Sequence, residues 1–306
     1  MTKYALSLKL DYSFDRPTGA GRQLLRVLPA YIPALQDFSI LKLEITPEPV
    51  ELGRFHDFFD IEVLELAMAA GLTQFTVELQ AEVTRNARPL GPDRSGPPAA
   101  LAQALRDIQD ISAHSPQHFR FPSRRVVPDA DITAFAAKLC QSGSTLELIE
   151  GLGRAIHDHM TFDADATEVD TAPAEAFRLK RGVCQDFAHI MIAGLRSRGV
   201  PAGYVAGYLR TLPPKGKPRL IGADAMHAWV RAWAGPAMGW VDYDPTNACF
   251  PSSDHIDVGF GRDYDDVAPV TGMWRLDGGQ TGHHSVDIEA LDSHPTSPAK
   301  KRGQIG

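Results

Sequence analysis

Residues Arg181–Leu209 read RGVCQDFAHIMIAGLRSRGVPAGYVAGYL. From Cys184 the period is helical, with Cys184, Phe187, Met191 and Leu195 on one stripe. Gly199-Val200-Pro201 ends the helix, and the chain beyond it is strand-like. Cys184 thus stands on the first turn of a helix, where backbone N–H groups lack partners and the dipole favours an anion. Such a setting favours the thiolate, which is the nucleophilic form. Taken alone, Cys184 is better explained as a packed, inert thiol, because free cysteines are among the most buried residues. A nucleophile also needs a base and an orienting group.

A hairpin downstream supplies both. AMHAWVRAWAGPAMGWVDYDPTNA (residues 225–248) reads as two strands joined around Gly235-Pro236. A loop of Ala234 to Ala237 pairs Trp233 with Met238 and Arg231 with Trp240, and sets His227 directly opposite Asp244. Residues so opposed have Cβ atoms about 4.5–5.5 Å apart, whereas Asp242 lies on the diagonal, about 7–8 Å away. A loop one residue longer or shorter would reverse the parity. Alone, His227 is a hydrogen-bonded strand histidine, and Asp244 is a turn residue before Pro245. Cys184, His227 and Asp244 together make a thiol triad in which the imidazole takes the thiol proton and the carboxylate orients the ring.

These motifs, GVCQDFAHIMIAGLRSRGVPAGYVAGYL, DAMHAWVRAW and GWVDYDPTNA, closely resemble the core of the transglutaminase-like superfamily in its bacterial branch. LKLDYSFDRPTGAGRQLLRVLP resembles the β-rich region that precedes the core there, and SDHIDVGFGRDYDDVAPVTGMW its downstream segment. The sequence departs from the family at FHDFFDIEVLEL, where members carry a turn-rich DxFGN-like stretch. The resemblance implies a papain-like fold, with Cys184 as nucleophile, His227 as general base and acid, and Asp244 as the carboxylate. It implies acyl transfer on amide bonds through a thioester. Hydrolysis, as a peptidase or amidase, is preferred to amine transfer, and a catalytically silent peptide-binding module is the non-enzymatic alternative. Around the triad, Gln185, Asp186 and Trp229 are candidate oxyanion or cleft residues. Of these, Asp186 suits a cap at the helix start, and Trp229 suits core packing as well as a shield for His227. Arg262 and Asp263 fit a structural anchor. His283-His284 is expected in a solvated loop, because strand neighbours point to opposite faces and no third metal ligand is evident.

The rest of the chain sets the frame. KYALSLKLDYSF places Tyr4, Leu6, Leu8, Leu10, Tyr12 and Phe14 on one face of a strand, and FSILKLEITPEP and QFTVELQAEVTR repeat the pattern. The fold class is therefore α+β, an N-terminal antiparallel β-domain (1–88) followed by a core of helices packed on an antiparallel sheet (129–290). Between them lies a connecting segment (89–128), and a polar, disordered tail (291–306) follows. Ser144 and Glu147 form a capping box ahead of STLELIEGLGRAIHDHM. With 306 residues, 43% hydrophobic content and a net charge of -7, nucleic acid is not an expected partner. No apolar run spans a membrane, and MTKYALSLKLDYSF lacks the apolar core of a signal peptide. Three cysteines without a pairing framework or CxxC motif point to a reducing cytoplasm. No cofactor, structural metal or calcium site is expected. The expected partner is a peptide or protein substrate carrying an amide.

Overall fold

The computed structural model describes residues 1–87, 89–211 and 224–291; nearly all of the expected tail lies outside them. Six strands come first: β1 (Thr2–Phe14), β2 (Gly21–Leu25), β3 (Gln36–Thr46), β4 (Glu51–His56), β5 (Glu62–Met68) and β6 (Gln74–Arg85). The alternation of β1 is realised, with Tyr4, Leu6, Leu8, Leu10 and Phe14 buried and Tyr12 half-buried. Leu8 pairs with Leu79 and Leu10 with Val77 across β6. With Leu66 of β5 they belong to one apolar core, in which each fully buried side chain contributes roughly 1.5–3 kcal/mol. At the departure point between β4 and β5, Asp57 builds the turn: its Oδ1 accepts from the N–H groups of Phe59 and Ile61 at 3.0 and 3.2 Å.

Next come α1 (Pro98–Asp107), α2 (Ala130–Ala137), α3 (Thr145–His159), β7 (Thr161–Phe162), α4 (Pro173–Leu179), β8 (Arg181–Gly182) and α5 (Cys184–Ser197). The capping box is present at α3: Glu147 N–H donates to Ser144 Oγ at 3.1 Å, and Ser144 N–H donates to Glu147 Oε2 at 2.8 Å. The chain continues through β9 (Ala202–Leu209), β10 (Ala225–Trp233), β11 (Trp240–Tyr243), β12 (His255–Gly261), α6 (Tyr264–Val267), β13 (Val270–Met273) and β14 (Gln280–Ala290). The core sheet runs β11-β10-β9-β12. Helix α5 is its central support, packed on β9 and β10 and flanked by α2, α3 and α4. Every residue from Gln185 to Leu195 is buried, as an interior helix requires. Helix α3 meets β11 so closely that a Cβ on Gly153 would strike the Tyr243 ring.

Three expectations are corrected. Residues 89–128 are not merely a connector: Leu101 and Leu105, one helical turn apart on α1, join Phe119 and Val126 in the core beneath the helices. Residues 129–290 do not stay together either. β13 pairs with β2, and β14 runs antiparallel to β1 from Tyr4↔Ala290 to Phe14↔Gln280. The N-terminal sheets are therefore β14-β1-β6-β3 and β13-β2-β5-β4, each completed by a strand from far along the chain. The alternation of Val286 and Ile288 towards the interior makes β14 a natural partner for β1. Finally, the β10–β11 hairpin has Trp233 opposite Trp240 and Arg231 opposite Asp242. The loop is two residues longer than expected, so the parity survives while every pair shifts.

A buried polar cluster fastens the two halves. Gln36 Nε2 donates to the Asp257 carbonyl at 2.7 Å and Asp257 N–H donates back to Gln36 Oε1 at 2.9 Å. Arg85, at the end of β6, pairs with Asp257 at 2.7 Å, and Arg231 on β10 bridges Asp257 at 2.9 Å and Asp242 at 2.6 Å. Asp242 is thereby committed to structure.

Candidate active site

The start of α5 is held from both sides. β8 pairs in parallel with β7, and Val183 is the N-cap ahead of Cys184. Asp186 folds back on the cap: its Oδ2 accepts from Val183 N–H at 2.8 Å and from Thr167 Oγ1 at 2.6 Å. Burial pushes the Asp186 carboxyl up from its ordinary value, and those hydrogen bonds oppose the rise. Asp186 is thus a cap. Gln185 Nε2 is likewise engaged, donating to the Val169 carbonyl at 2.9 Å. The backbone N–H groups of Cys184 and Gln185 have no partner among the described residues, as the first turn of a helix leaves them.

His227 enters from β10. Its Nε2 lies 2.8 Å from Asp244 Oδ2, both groups being buried. This leaves Nδ1 for Cys184, whose hydrogen bond and charge act on the ring. Burial alone would push His227 down; the hydrogen bonds and charges of Asp244 and Cys184 outweigh it and raise the imidazole to about 10. Asp244 lies just past β11, where it exchanges backbone hydrogen bonds with Cys249. It reaches His227 from that turn rather than from the directly opposed strand position expected.

Asp244 is densely solvated by protein. Oδ1 accepts from the N–H groups of Thr246 and Asn247 at 2.9 and 3.1 Å. Oδ2 accepts from Asn247 Nδ2 at 2.7 Å and meets His255 Nε2 at 3.1 Å. Burial works against ionisation of Asp244, yet His227, His255 and Asn247 hold its carboxyl well below the usual range. His255 and Asn247 were not identified from sequence. Ser252 N–H donates to His255 Nδ1 at 3.3 Å, which leaves the proton on Nε2 for Asp244. His227, Asp244 and His255 bring three ligand atoms within 4.8 Å of one another, a spacing that a cation site also has. Here the acceptors of Asp244 are filled by N–H donors, so the cluster fits hydrogen bonding better than metal ligation.

Cys184 and His227 line one cavity of about 330 Å³. Its other walls include Tyr204, Met226, Tyr264 and Val267 and, from the N-terminal sheet, Tyr12 with His283 and His284. The two histidines are therefore not in a loop: they lie on β14, opposite Asp11 and Leu10, and border the cleft. Trp229 does not line it. That side chain is fully buried, donates from Nε1 to Asp242 at 3.4 Å, and meets the His255 ring edge-on at 5.2 Å. Arg262 forks onto Asp266, and Asp263 accepts from the N–H groups of Arg125 and Asp265, so both anchor α6.

A core of helices on an antiparallel sheet, with a cysteine heading a helix and a His–Asp contact on the adjoining strands, is the architecture of a thiol-enzyme superfamily. Residues 134–245 match the model of the Transglutaminase-like superfamily, and residues 4–84 match the Bacterial transglutaminase-like N-terminal region. The chain belongs to the transglutaminase-like superfamily and carries that bacterial N-terminal region. It is 43% identical over 131 residues to an uncharacterized protein of Mycobacterium tuberculosis, covering 42% of each. It is also 32% identical over 144 residues to a protein-glutamine gamma-glutamyltransferase of Pseudomonas aeruginosa, covering 47% of this chain and 18% of that one. The chain thus spans well under two thirds of these relatives. A solved structure described as a "Putative Cysteine Protease" from Cytophaga hutchinsonii has the same fold, with a TM-score of 0.74 at 20% identity over 96% of this chain and 92% of that one. No described helix is long and apolar enough to cross a membrane.

Proposed function

We propose that the chain is a thiol enzyme that transfers acyl groups from amide bonds, with water as the usual acceptor. The observation that carries this reading is the shared cavity of Cys184 and His227, with the buried Asp244 on the far nitrogen of the imidazole. Cys184 Sγ attacks the carbonyl carbon, and the proton it yields resides on His227. As the C–N bond breaks, His227 returns that proton to the leaving amine or ammonia. Water, deprotonated by the same imidazole, then hydrolyses the thioester.

Water is favoured as acceptor because no carboxylate is present among the described residues lining the cavity to hold an incoming ammonium. Amine transfer is the second reading, supported by the similarity to a protein-glutamine gamma-glutamyltransferase. Incubating the protein with glutamine-containing peptides, with and without a primary amine, tests the choice. Fragments or deamidated peptides are expected; amine adducts as the main product would overturn hydrolysis. Alkylation of Cys184 by iodoacetamide tests the chemistry itself. A rate that stays high below neutral pH and falls in His227→Ala is expected, and an ordinary thiol profile unchanged by that substitution would refute the triad.

A further inference from the structure

One backbone N–H at Cys184 is a weak cradle for the oxyanion of a tetrahedral intermediate, which needs convergent, preorganised donors. Two neighbouring side-chain donors are engaged elsewhere: one Gln185 amide N–H is on the Val169 carbonyl and the Trp229 indole is on Asp242. Tyr204 differs. It is 4% exposed, lines the cavity with Cys184 and His227, and its hydroxyl makes no hydrogen bond among the described residues. The contrast is with Tyr208, two positions along β9, whose hydroxyl donates to the Val27 carbonyl at 2.6 Å. The Tyr204 ring is also held in place. It lies 5.1 Å from the His189 ring on α5 and meets Tyr264 edge-on at 6.2 Å, while His189 Nε2 accepts from Tyr264 N–H at 3.2 Å.

We propose that the Tyr204 hydroxyl and the Cys184 backbone N–H together form the oxyanion hole. The inference rests on the acyl-transfer reading above. When the Sγ–C bond forms, the carbonyl π pair moves onto oxygen, which accepts from Tyr204 Oη–H and Cys184 N–H. When the C–N bond breaks, the pair returns to the carbonyl, the His227 proton leaves with the amine, and Tyr204 keeps its own proton throughout. Burial foremost, then the charge at Cys184, holds the phenol well above its ordinary value, so it donates without ionising.

Tyr204→Phe removes one oxygen and keeps the ring. Three readings are taken on wild type and variant: hydrolysis of a glutamine-containing peptide, inhibition by a blocked dipeptide aldehyde, and alkylation by iodoacetamide. The aldehyde adduct places an oxygen in the oxyanion position, whereas alkylation is a displacement that forms no oxyanion. The expected result is a kcat lowered about 100–1000-fold with KM little changed, as for other single oxyanion donors. Aldehyde affinity should fall with it, and the alkylation rate and its pH profile should stay at wild-type values. A kcat and aldehyde affinity within about threefold of wild type would overturn the role of Tyr204 while leaving the triad intact. An ordinary thiol profile for wild-type Cys184 would instead overturn the acyl-transfer reading, and the oxyanion hole with it.

Discussion

Asp244→Asn isolates what the buried carboxylate does for His227. The substitution keeps size and shape but removes the charge and turns one of the two acceptor atoms into a donor. In the wild-type protein five N–H contacts converge on Asp244, and the His227 contact is 2.8 Å. Burial, the largest influence on His227, works against its charge, yet Asp244 and Cys184 raise it from 6.5 to about 10. At about 1.36 kcal/mol per pH unit that rise represents about 5 kcal/mol. Because burial opposes it, the combined pull of Asp244 and Cys184 exceeds that net rise, and the Asp244 hydrogen bond is the largest of the raising influences. Neutralising Asp244 should therefore lower the His227 midpoint by about 1–3 pH units, the range for losing one close opposite charge. Long-range proton–nitrogen NMR of the imidazole measures that midpoint directly. Hydrolysis near neutral pH should fall on the order of 10³–10⁴-fold, because the ring loses both its tautomer and its orientation. A midpoint within about half a unit of wild type would refute the coupling, whatever happened to activity.

Three further outcomes are expected. Because the folded-state value of His227 is raised, its contribution to stability is complete below about 6.5 and is lost as pH climbs through about 10; urea midpoints should decline across that window, and less so in His227→Gln. Arg85→Ala removes one cation from the buried Asp257 and should cost about 3 kcal/mol by urea denaturation, with a loss below about 1 kcal/mol counting against the clamp between the two halves. The neighbouring helix glycines should respond oppositely in thermal melts: Gly153→Ala forces the Tyr243 ring aside and should destabilise by about 1–3 kcal/mol, whereas Gly151→Ala faces open space and should gain up to about 1 kcal/mol.

The readable parts of the sequence were those whose signal is local. Strand β1 declared itself through strict alternation, α3 through Ser144 and Glu147, and Cys184 through a helix start after Gly182. The hairpin was half legible. Parity and register both rested on a four-residue loop, and Gly235 and Gly239, both with positive φ, allow one two residues longer, which keeps the parity and shifts every pair. His255 was missed for a different reason: its meeting with Asp244 depends on β12 lying beside β9, a pairing set by tertiary packing. The same holds for His283 and His284, whose place at the cleft follows from β14 crossing to β1. Tyr204 looked like any aromatic in a strand, because an unpartnered hydroxyl has no sequence signature.

The return of β13 and β14 to the first sheets bears on how the chain is made. As the protein leaves the ribosome, β1 can pair with β6 early, but its other edge stays open until residues 280–290 emerge, after the whole transglutaminase-like core. An open strand edge is a template for pairing with another chain, so fragments that stop before Val270 should be prone to association however well their core folds. Strand β14 also completes the cleft: His283 and His284 reach its wall only through the pairing of β14 with β1.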